Sequence, residues 1–353
     1  MPLLTRMVAT PMSVDIGPGA VAELGPLLAD RRISTGGRVA VVVGPGLGEE
    51  IAQLCAPQLG GGEFWPVQGG SLQAAIDLGR RLRSGFYDAL VGIGGGRTLD
   101  VAKYAATLTG LPLVAVATSL AHDGISSPVA SLEDEEGRKG SHGVQMPLAV
   151  VVDLDYVKRS DPSMRRSGIG DVVSNLCAIA DWELAERARG ESMDGVAVTF
   201  ARTAAMSLLY RDDGIDDDEF LIALAEALVL SGLAMATAGS SRPCSGADHE
   251  ILHAIDHLFP GTAAHGELAG ACSLFTSFLH GHERLTAALD ECLCRHSLPR
   301  THDDLGLTED QFVEAVLAAP GTRPDRYTIL EQLELDEAAV RARLAAFQSA
   351  VGV

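Results

Sequence analysis

Four short apolar runs in the first 160 residues, three of them closed by small residues, constrain this chain more than any other feature. Arg38 to Val43 (RVAVVV) leads into Gly44-Pro45-Gly46. Ala89 to Ile93 (ALVGI) leads into Gly94-Gly95-Gly96, and Leu113 to Ala117 (LVAVA) into Thr118-Ser119. Ala149 to Asp153 (AVVVD) is the fourth. Strands that stay apolar without alternation are buried on both faces, which requires a parallel sheet covered by helices on each side. Ala/Leu-rich segments with helical spacing fill the intervals. The expectation is an α/β, Rossmann-like, doubly wound sheet. Its ligands sit at the carboxyl ends of the strands, where the Gly and Thr/Ser clusters fall.

From about Ser167 the pattern changes. Asp171–Ala188, Val196–Tyr210, Asp218–Ala238, Gly246–Leu258 and Gly266–His280 read as helices, and strand signals all but vanish. At about 150 residues per domain, 353 residues suggest two domains. Residues 1–163 are expected to form a dinucleotide-binding α/β domain, and 164–353 an all-α metal and substrate domain. The cleft between them is the expected place for chemistry. The polar, Gly-containing stretch from Ser131 to His142 reads as a hairpin or surface loop.

With 27 basic against 47 acidic residues the net charge is −20, which opposes phosphate backbones and excludes general nucleic-acid binding. A small anionic substrate stays open, because one pocket can oppose the global field. The six cysteines lack any spaced framework, and a reduced interior is the expectation. The chain opens without a charged region followed by an apolar one, so no secretory leader is read. No uninterrupted apolar stretch reaches the ~18 residues of a membrane span. A cytoplasmic location is expected.

Gly92 to Lys103 (GIGGGRTLDVAK) follows a strand and opens a helix. Glycines let a diphosphate approach the backbone, and a helix N-terminus offers free N–H groups and a positive dipole end. Gly44-Pro45-Gly46-Leu47-Gly48 either serves the same nucleotide or is a plain turn. Four of the ten histidines lie between Ser245 and Gly266. His249-Glu250-Ile251-Leu252-His253 spells H-E-x-x-H, the helix of zinc proteases. The extended protease pattern wants Gly at 256 and His at 259, where Asp256 and Phe259 stand. The other metal set is Asp171, His249 and His265, each expected at the start of an apolar helix. One carboxylate and two imidazoles suit a divalent cation with an open position.

Several blocks together resemble the sn-glycerol-1-phosphate dehydrogenase family, within the iron-containing alcohol dehydrogenase and dehydroquinate synthase-like superfamily. They are Gly94 to Tyr104, Thr118 to Pro128 (TSLAHDGISSP), Ser167 to Asp171 (SGIGD), Ser241 to His249 (SRPCSGADH), Ala264 to Glu267 (AHGE) and Arg323 to Thr328 (RPDRYT). The resemblance implies reversible hydride transfer between dihydroxyacetone phosphate and sn-glycerol 1-phosphate. It implies NAD or NADP held by Gly94, Gly95, Gly96, Arg97, Thr98, Thr118, Ser119 and Ser127. It implies one divalent metal on Asp171, His249 and His265, zinc first, with nickel or iron as alternatives. Asp171 lies on a loop in this reading. Asp123, Asp171 and His253 contact substrate, which reassigns His253 from ligand to substrate contact. Asp123, His253 and Lys103 are the catalytic candidates, and His122 is a second proton carrier. A homo-oligomer is expected from the family. Asp248 stands where the family usually has Glu. The lack of an acid after the Arg38–Val43 strand permits NADP as well as NAD.

Two other activities use this scaffold. A glycerol or other polyol dehydrogenase shares the metal and cofactor but needs no phosphate pocket. A sugar-phosphate cyclase of the dehydroquinate synthase kind uses NAD transiently, and Asp171 speaks against it, since those enzymes carry Glu there. A homologue that only binds nucleotide is disfavoured by the intact Asp171, His249 and His265.

Overall fold

The computed structural model describes residues 10–352. The opening stretch read above for a secretory leader lies outside them. The described residues group into two compact units. The first runs up to Thr118 and adds Gly124–Val157 and Met235–Ser240; the second holds Ser119–Asp123, Lys158–Ala234 and the chain from Ser241 onward.

The first unit contains the expected sheet. Its strands are β1 (Ser13–Gly17), β2 (Arg38–Val43), β3 (Glu63–Pro66), β4 (Tyr87–Gly94), β5 (Leu113–Ala117) and, beyond an antiparallel hairpin of β6 (Val129–Glu133) and β7 (Lys139–Gly143), β8 (Ala149–Asp153). The sheet order is β1-β8-β5-β4-β2-β3, every pair parallel. The apolar runs are strands because both of their faces are covered. Val39, Val41 and Val43 of β2 enter one core, and Ala40 and Val42 the other. The edge strands β1 and β3 were not among the expected ones. They are short and half-exposed, so they lack the continuous apolar signature. The polar stretch from Ser131 forms most of the β6–β7 hairpin.

The second unit is helical. The segment expected to begin at Asp171 starts earlier, at Pro162, and runs to Arg189. Asp161 caps it by accepting from the Ser163 N–H at 2.9 Å, and Pro162 fills the first position, where its missing N–H costs no bond. Gly168 and Gly170 therefore lie inside a helix and not in a loop. Close packing explains them. A Cβ on Gly170 would sit 3.0 Å from the Gly266 carbonyl carbon, closer still to its oxygen, and 3.4 Å from Gly270 Cα. A Cβ on Gly168 would sit 3.1 Å from the Leu120 carbonyl carbon. The helix His265–Leu279 thus packs backbone against backbone on the helix Pro162–Arg189.

Among the described residues one helix, Asp218–Ala238, is long and apolar enough to cross a membrane. Phe220, Leu221, Leu224, Ala225, Ala227 and Leu228 are fully buried, as in the core helix of a globular unit. Five of the six cysteines are buried and all six are free.

Candidate active site

Two sets of residues carry chemistry, one in each unit. In the first unit, β4 ends in Gly94, Gly95 takes the cap position, and the helix Gly96–Thr109 follows at once. No side chain caps that helix, so its first N–H groups remain available to an anion. Gly95 and Gly96 are half-buried and Arg97 is exposed, while Thr98 is buried. Thr98 fills the space that Gly94 leaves: a Cβ on Gly94 would come within 2.7 Å of the Thr98 Cβ, and a Cβ on Gly44 would also collide with Thr98. The two glycine turns therefore close on one threonine. Thr118 donates its N–H to Gly94 O at 3.0 Å, which ties the end of β5 to the glycine turn. Ser119, which belongs to the second unit, is half-buried; Ser127 is buried, with its Oγ 3.4 Å from Val129 O.

Lys103, a catalytic candidate in the sequence, is held by its neighbours. It is fully buried and ion-paired with Asp100 at 2.9 Å. Its Nζ also donates to Ser127 O at 3.5 Å and to Val129 O. Asp100 accepts from Ser131 N–H at 3.2 Å. The pair fastens the start of β6 to the helix.

In the second unit Asp171, His249 and His265 converge. One ligand atom from each lies within 4.8 Å of the others. Asp171 Oδ1 is 3.4 Å from His265 Nε2 and 4.0 Å from His249 Nε2. Their positions differ from the expectation in one respect. His249 and His265 do sit in the first turns of their helices, but Asp171 is deep in its own. The Gly170–Gly266 contact brings Asp171 beside His265, since each glycine is the immediate neighbour of a cluster residue.

The donor set fits a divalent cation. His249 Nδ1 is 2.6 Å from the carboxylate of Asp248, a fully buried residue that also accepts from Gly246 N–H at 3.0 Å. That bond places the imidazole proton on Nδ1 and turns the Nε2 lone pair toward Asp171. Asp248 went unassigned in the sequence; only its position before a histidine hinted at the role. Burial, then the Asp123 charge, pushes the Asp171 carboxyl up to about 8. A cation in the cluster reverses that penalty. Burial alone depresses the charged form of His249, but Asp248 and Asp171 outweigh it and lift the imidazole above its ordinary value.

Around the cluster, Asp123 donates its N–H to Asp171 Oδ2 at 2.9 Å. The His122 ring lies 5.8 Å from that of His265, and the His253 ring 6.3 Å from that of His249. His253 sits one turn beyond His249 and its Nε2 is 2.9 Å from Arg323 Nη2, so it is engaged outside the ligand group. Glu250 completes the H-E-x-x-H string but does not serve the cluster. Its Oε2 accepts from Thr328 Oγ1 at 3.0 Å. Burial, then Glu331 and Asp181, pushes its carboxyl up to about 9, so it is no base at neutral pH. The protease reading fails on both counts.

A parallel sheet, an uncapped glycine-turn helix and an Asp/His/His cluster able to hold a cation are the parts an NAD(P)-dependent dehydrogenase needs. A family profile described as iron-containing alcohol dehydrogenase matches residues 15–160. Glycerol-1-phosphate dehydrogenase, NAD(P)+, of Thermofilum pendens is 42% identical over 252 residues, 70% of this chain and 72% of that protein. The enzyme of the same name from Methanospirillum hungatei is 36% identical over 334 residues, covering 93% and 90%. The chain belongs to the glycerol-1-phosphate dehydrogenase family. Its fold is shared by the crystal structure of a probable glycerol dehydrogenase from Sinorhizobium meliloti, with a TM-score of 0.80 at 22% identity over 98% of this chain and 99% of that one.

Proposed function

We propose that this protein is an NAD(P)- and metal-dependent oxidoreductase that interconverts dihydroxyacetone phosphate and sn-glycerol 1-phosphate. The observation that carries the reading is the Asp171–His249–His265 cluster, with His249 already oriented by Asp248. The substrate comes from the relatives, enzymes named for glycerol 1-phosphate that align with most of the chain. When bound, a divalent cation supplies Lewis-acid polarisation of the substrate oxygen and the nicotinamide exchanges the hydride. The chain's own residues prepare that chemistry. Asp171, His249 and His265 hold the cation, zinc first by ligand type. Asp248 keeps the His249 lone pair in place. Asp123 lies against Asp171, where it contacts the substrate.

Proton delivery falls to His253 or His122, the two further imidazoles beside the cluster. Arg323 donates to His253 Nε2, which leaves the proton of the neutral ring on Nδ1. In this reading Lys103 braces the hairpin, supported by its Asp100 pair and its bond to Val129 O. The dinucleotide phosphates take the uncapped N-terminus of Gly96–Thr109, with Gly94, Gly95, Arg97, Thr98, Thr118, Ser119 and Ser127 around them. Gly44-Pro45-Gly46 after β2 presents no carboxylate to repel a 2′-phosphate, so NADPH and NADH both serve. The division of labour expected of residues 1–163 and 164–353 belongs to the same proposal, with the boundary moved ahead of Lys158 and Ser119–Asp123 assigned to the helical unit. A cytoplasmic homo-oligomer belongs to the same reading, checked by sedimentation and fractionation.

The test is cofactor oxidation followed at 340 nm with dihydroxyacetone phosphate, with NADPH and with NADH, before and after chelation and metal add-back. Chelator-sensitive turnover that is absent with unphosphorylated dihydroxyacetone supports the proposal. Turnover with dihydroxyacetone alone moves the substrate to a polyol.

A further inference from the structure

The loop that follows the helix Glu309–Ala318 carries a pair of cations that form no ion pair among the described residues. Arg323 donates through Nη1 to Ser241 Oγ at 3.4 Å and through Nη2 to His253 Nε2 at 2.9 Å. Arg326 donates through Nη2 to the same Ser241 Oγ at 2.5 Å and through Nη1 to Ser245 O. Every one of these acceptors is neutral. A third arginine nearby, Arg242, differs: it forms a two-pronged pair with Glu191 at 2.7 and 2.6 Å. Neither Arg323 nor Arg326 has a carboxylate within ion-pair distance among the described residues, in a chain of net charge −20.

Buried cations without partners are costly, and proteins pair them. Burial, then the charges of Arg323 and Arg242, pulls the Arg326 guanidinium down to about 10. Glu250, an acidic group close enough to influence both arginines, is turned to Thr328 Oγ1 and forms no ion pair with either. A second orphan sits beside them: Ser245 is 4% exposed, and its Oγ has no hydrogen-bond partner among the described residues. Arg323 and Arg326 are themselves half-buried, so an anion can reach them. Through His253 the pair lies one imidazole beyond His249 of the metal cluster.

We propose that Arg323 and Arg326, bridged by the Ser241 hydroxyl, are the site that recognises the phosphate monoester of the substrate. Two guanidinium forks offer parallel N–H donors matched to phosphate oxygens, which a lysine cannot reproduce. The arginines therefore act as the specificity determinant between phosphorylated and free three-carbon substrates. This inference rests on the oxidoreductase reading above for the identity of the ligand, but not for the existence of an anion site.

The experiment uses metal-loaded enzyme with NADPH. Arg326→Gln raises the KM for dihydroxyacetone phosphate about 10- to 100-fold, the loss expected for a charged hydrogen bond. It lowers kcat/KM for that substrate at least tenfold more than for dihydroxyacetone, by the same estimate. Arg326→Lys recovers part of the loss. Inorganic phosphate competes with dihydroxyacetone phosphate and raises the Tm of the wild type, and Arg326→Gln abolishes both effects. Equal losses on the two substrates, or phosphate stabilisation that survives Arg326→Gln, overturn the proposal. If Arg326→Gln does not fold, Ser241→Ala decides: a smaller loss in the same direction supports the site, and no change overturns it. A wild type inert toward dihydroxyacetone phosphate, with phosphate binding still dependent on Arg326, removes the substrate reading and leaves the anion site standing.

Discussion

Gly170→Ala is the sharpest perturbation of the metal cluster that touches no ligand. Gly170 precedes Asp171 on one helix, and Gly266 follows His265 on another. The added methyl would lie 3.0 Å from the Gly266 carbonyl carbon and 3.4 Å from Gly270 Cα. Both obstacles are backbone and cannot rotate away. Restoring an ordinary carbon–oxygen separation of about 3.3 Å to the Gly266 oxygen requires the helices to part by about 1 Å. Overpacking of this kind costs up to about 3 kcal/mol or more. That lowers Tm on the order of 5–10 °C. The same movement lengthens the 3.4 Å approach of Asp171 Oδ1 to His265 Nε2, so metal is lost as well. Gly195→Ala is the control. Gly195 is the exposed first residue of the helix Gly195–Leu209 and a Cβ there meets nothing within 4 Å, so the change is neutral or stabilising. The assays are thermal unfolding and metal content by mass spectrometry. A Gly170→Ala protein with wild-type Tm and full metal occupancy would refute the packing argument.

Further expectations concern single side chains. Asp171→Asn loses metal and turnover together while circular dichroism stays native; retained metal and activity would remove Asp171 from the ligand set. Asp248→Asn weakens metal binding by roughly 10- to 100-fold, the usual effect of removing a carboxylate behind a histidine ligand; competition with a chromogenic chelator measures it. Glu250→Gln acts on the pH profile of stability. The carboxyl is raised from 4.5 to about 9 in the folded protein, so its contribution is fully present below about pH 4.5 and is lost as pH rises through about 9. The glutamine variant therefore loses less stability between pH 5 and 9 than the wild type, and identical Tm profiles would contradict the protonated assignment. Lys103→Met loosens the β6–β7 hairpin, read as faster amide exchange there, with little change in metal affinity.

The central strands were legible because burial on both faces leaves a continuous apolar run, as in Arg38–Val43 and Leu113–Ala117. Edge strands β1 and β3 were not, because one flank of each is open and their residues are mixed. The glycines at 168 and 170 read as a loop, since glycine weakens an isolated helix; only the neighbouring helix explains them. The candidate ligands Asp171, His249 and His265 were named from resemblance and residue type. Asp248 was noted only as an acid standing where the family usually has Glu, and its bond to His249 Nδ1 came from the structure.

What the sequence by itself determined is local: hydrophobic period, glycine turns, the helix starts at His249 and His265, and an inventory of residues able to hold a metal and a dinucleotide. Those follow from the preferences of a few consecutive residues. Tertiary structure decided which of them meet. Arg326 and Ser241 are 85 positions apart, and Asp123 and Asp171 are 48 apart. Lys103 was drawn into a buried ion pair with Asp100, and Glu250 turned to Thr328 rather than to the histidines. Hydrogen bonds and charge pairing act over a few ångströms of space, whatever the distance along the chain, so only the packed protein reveals them.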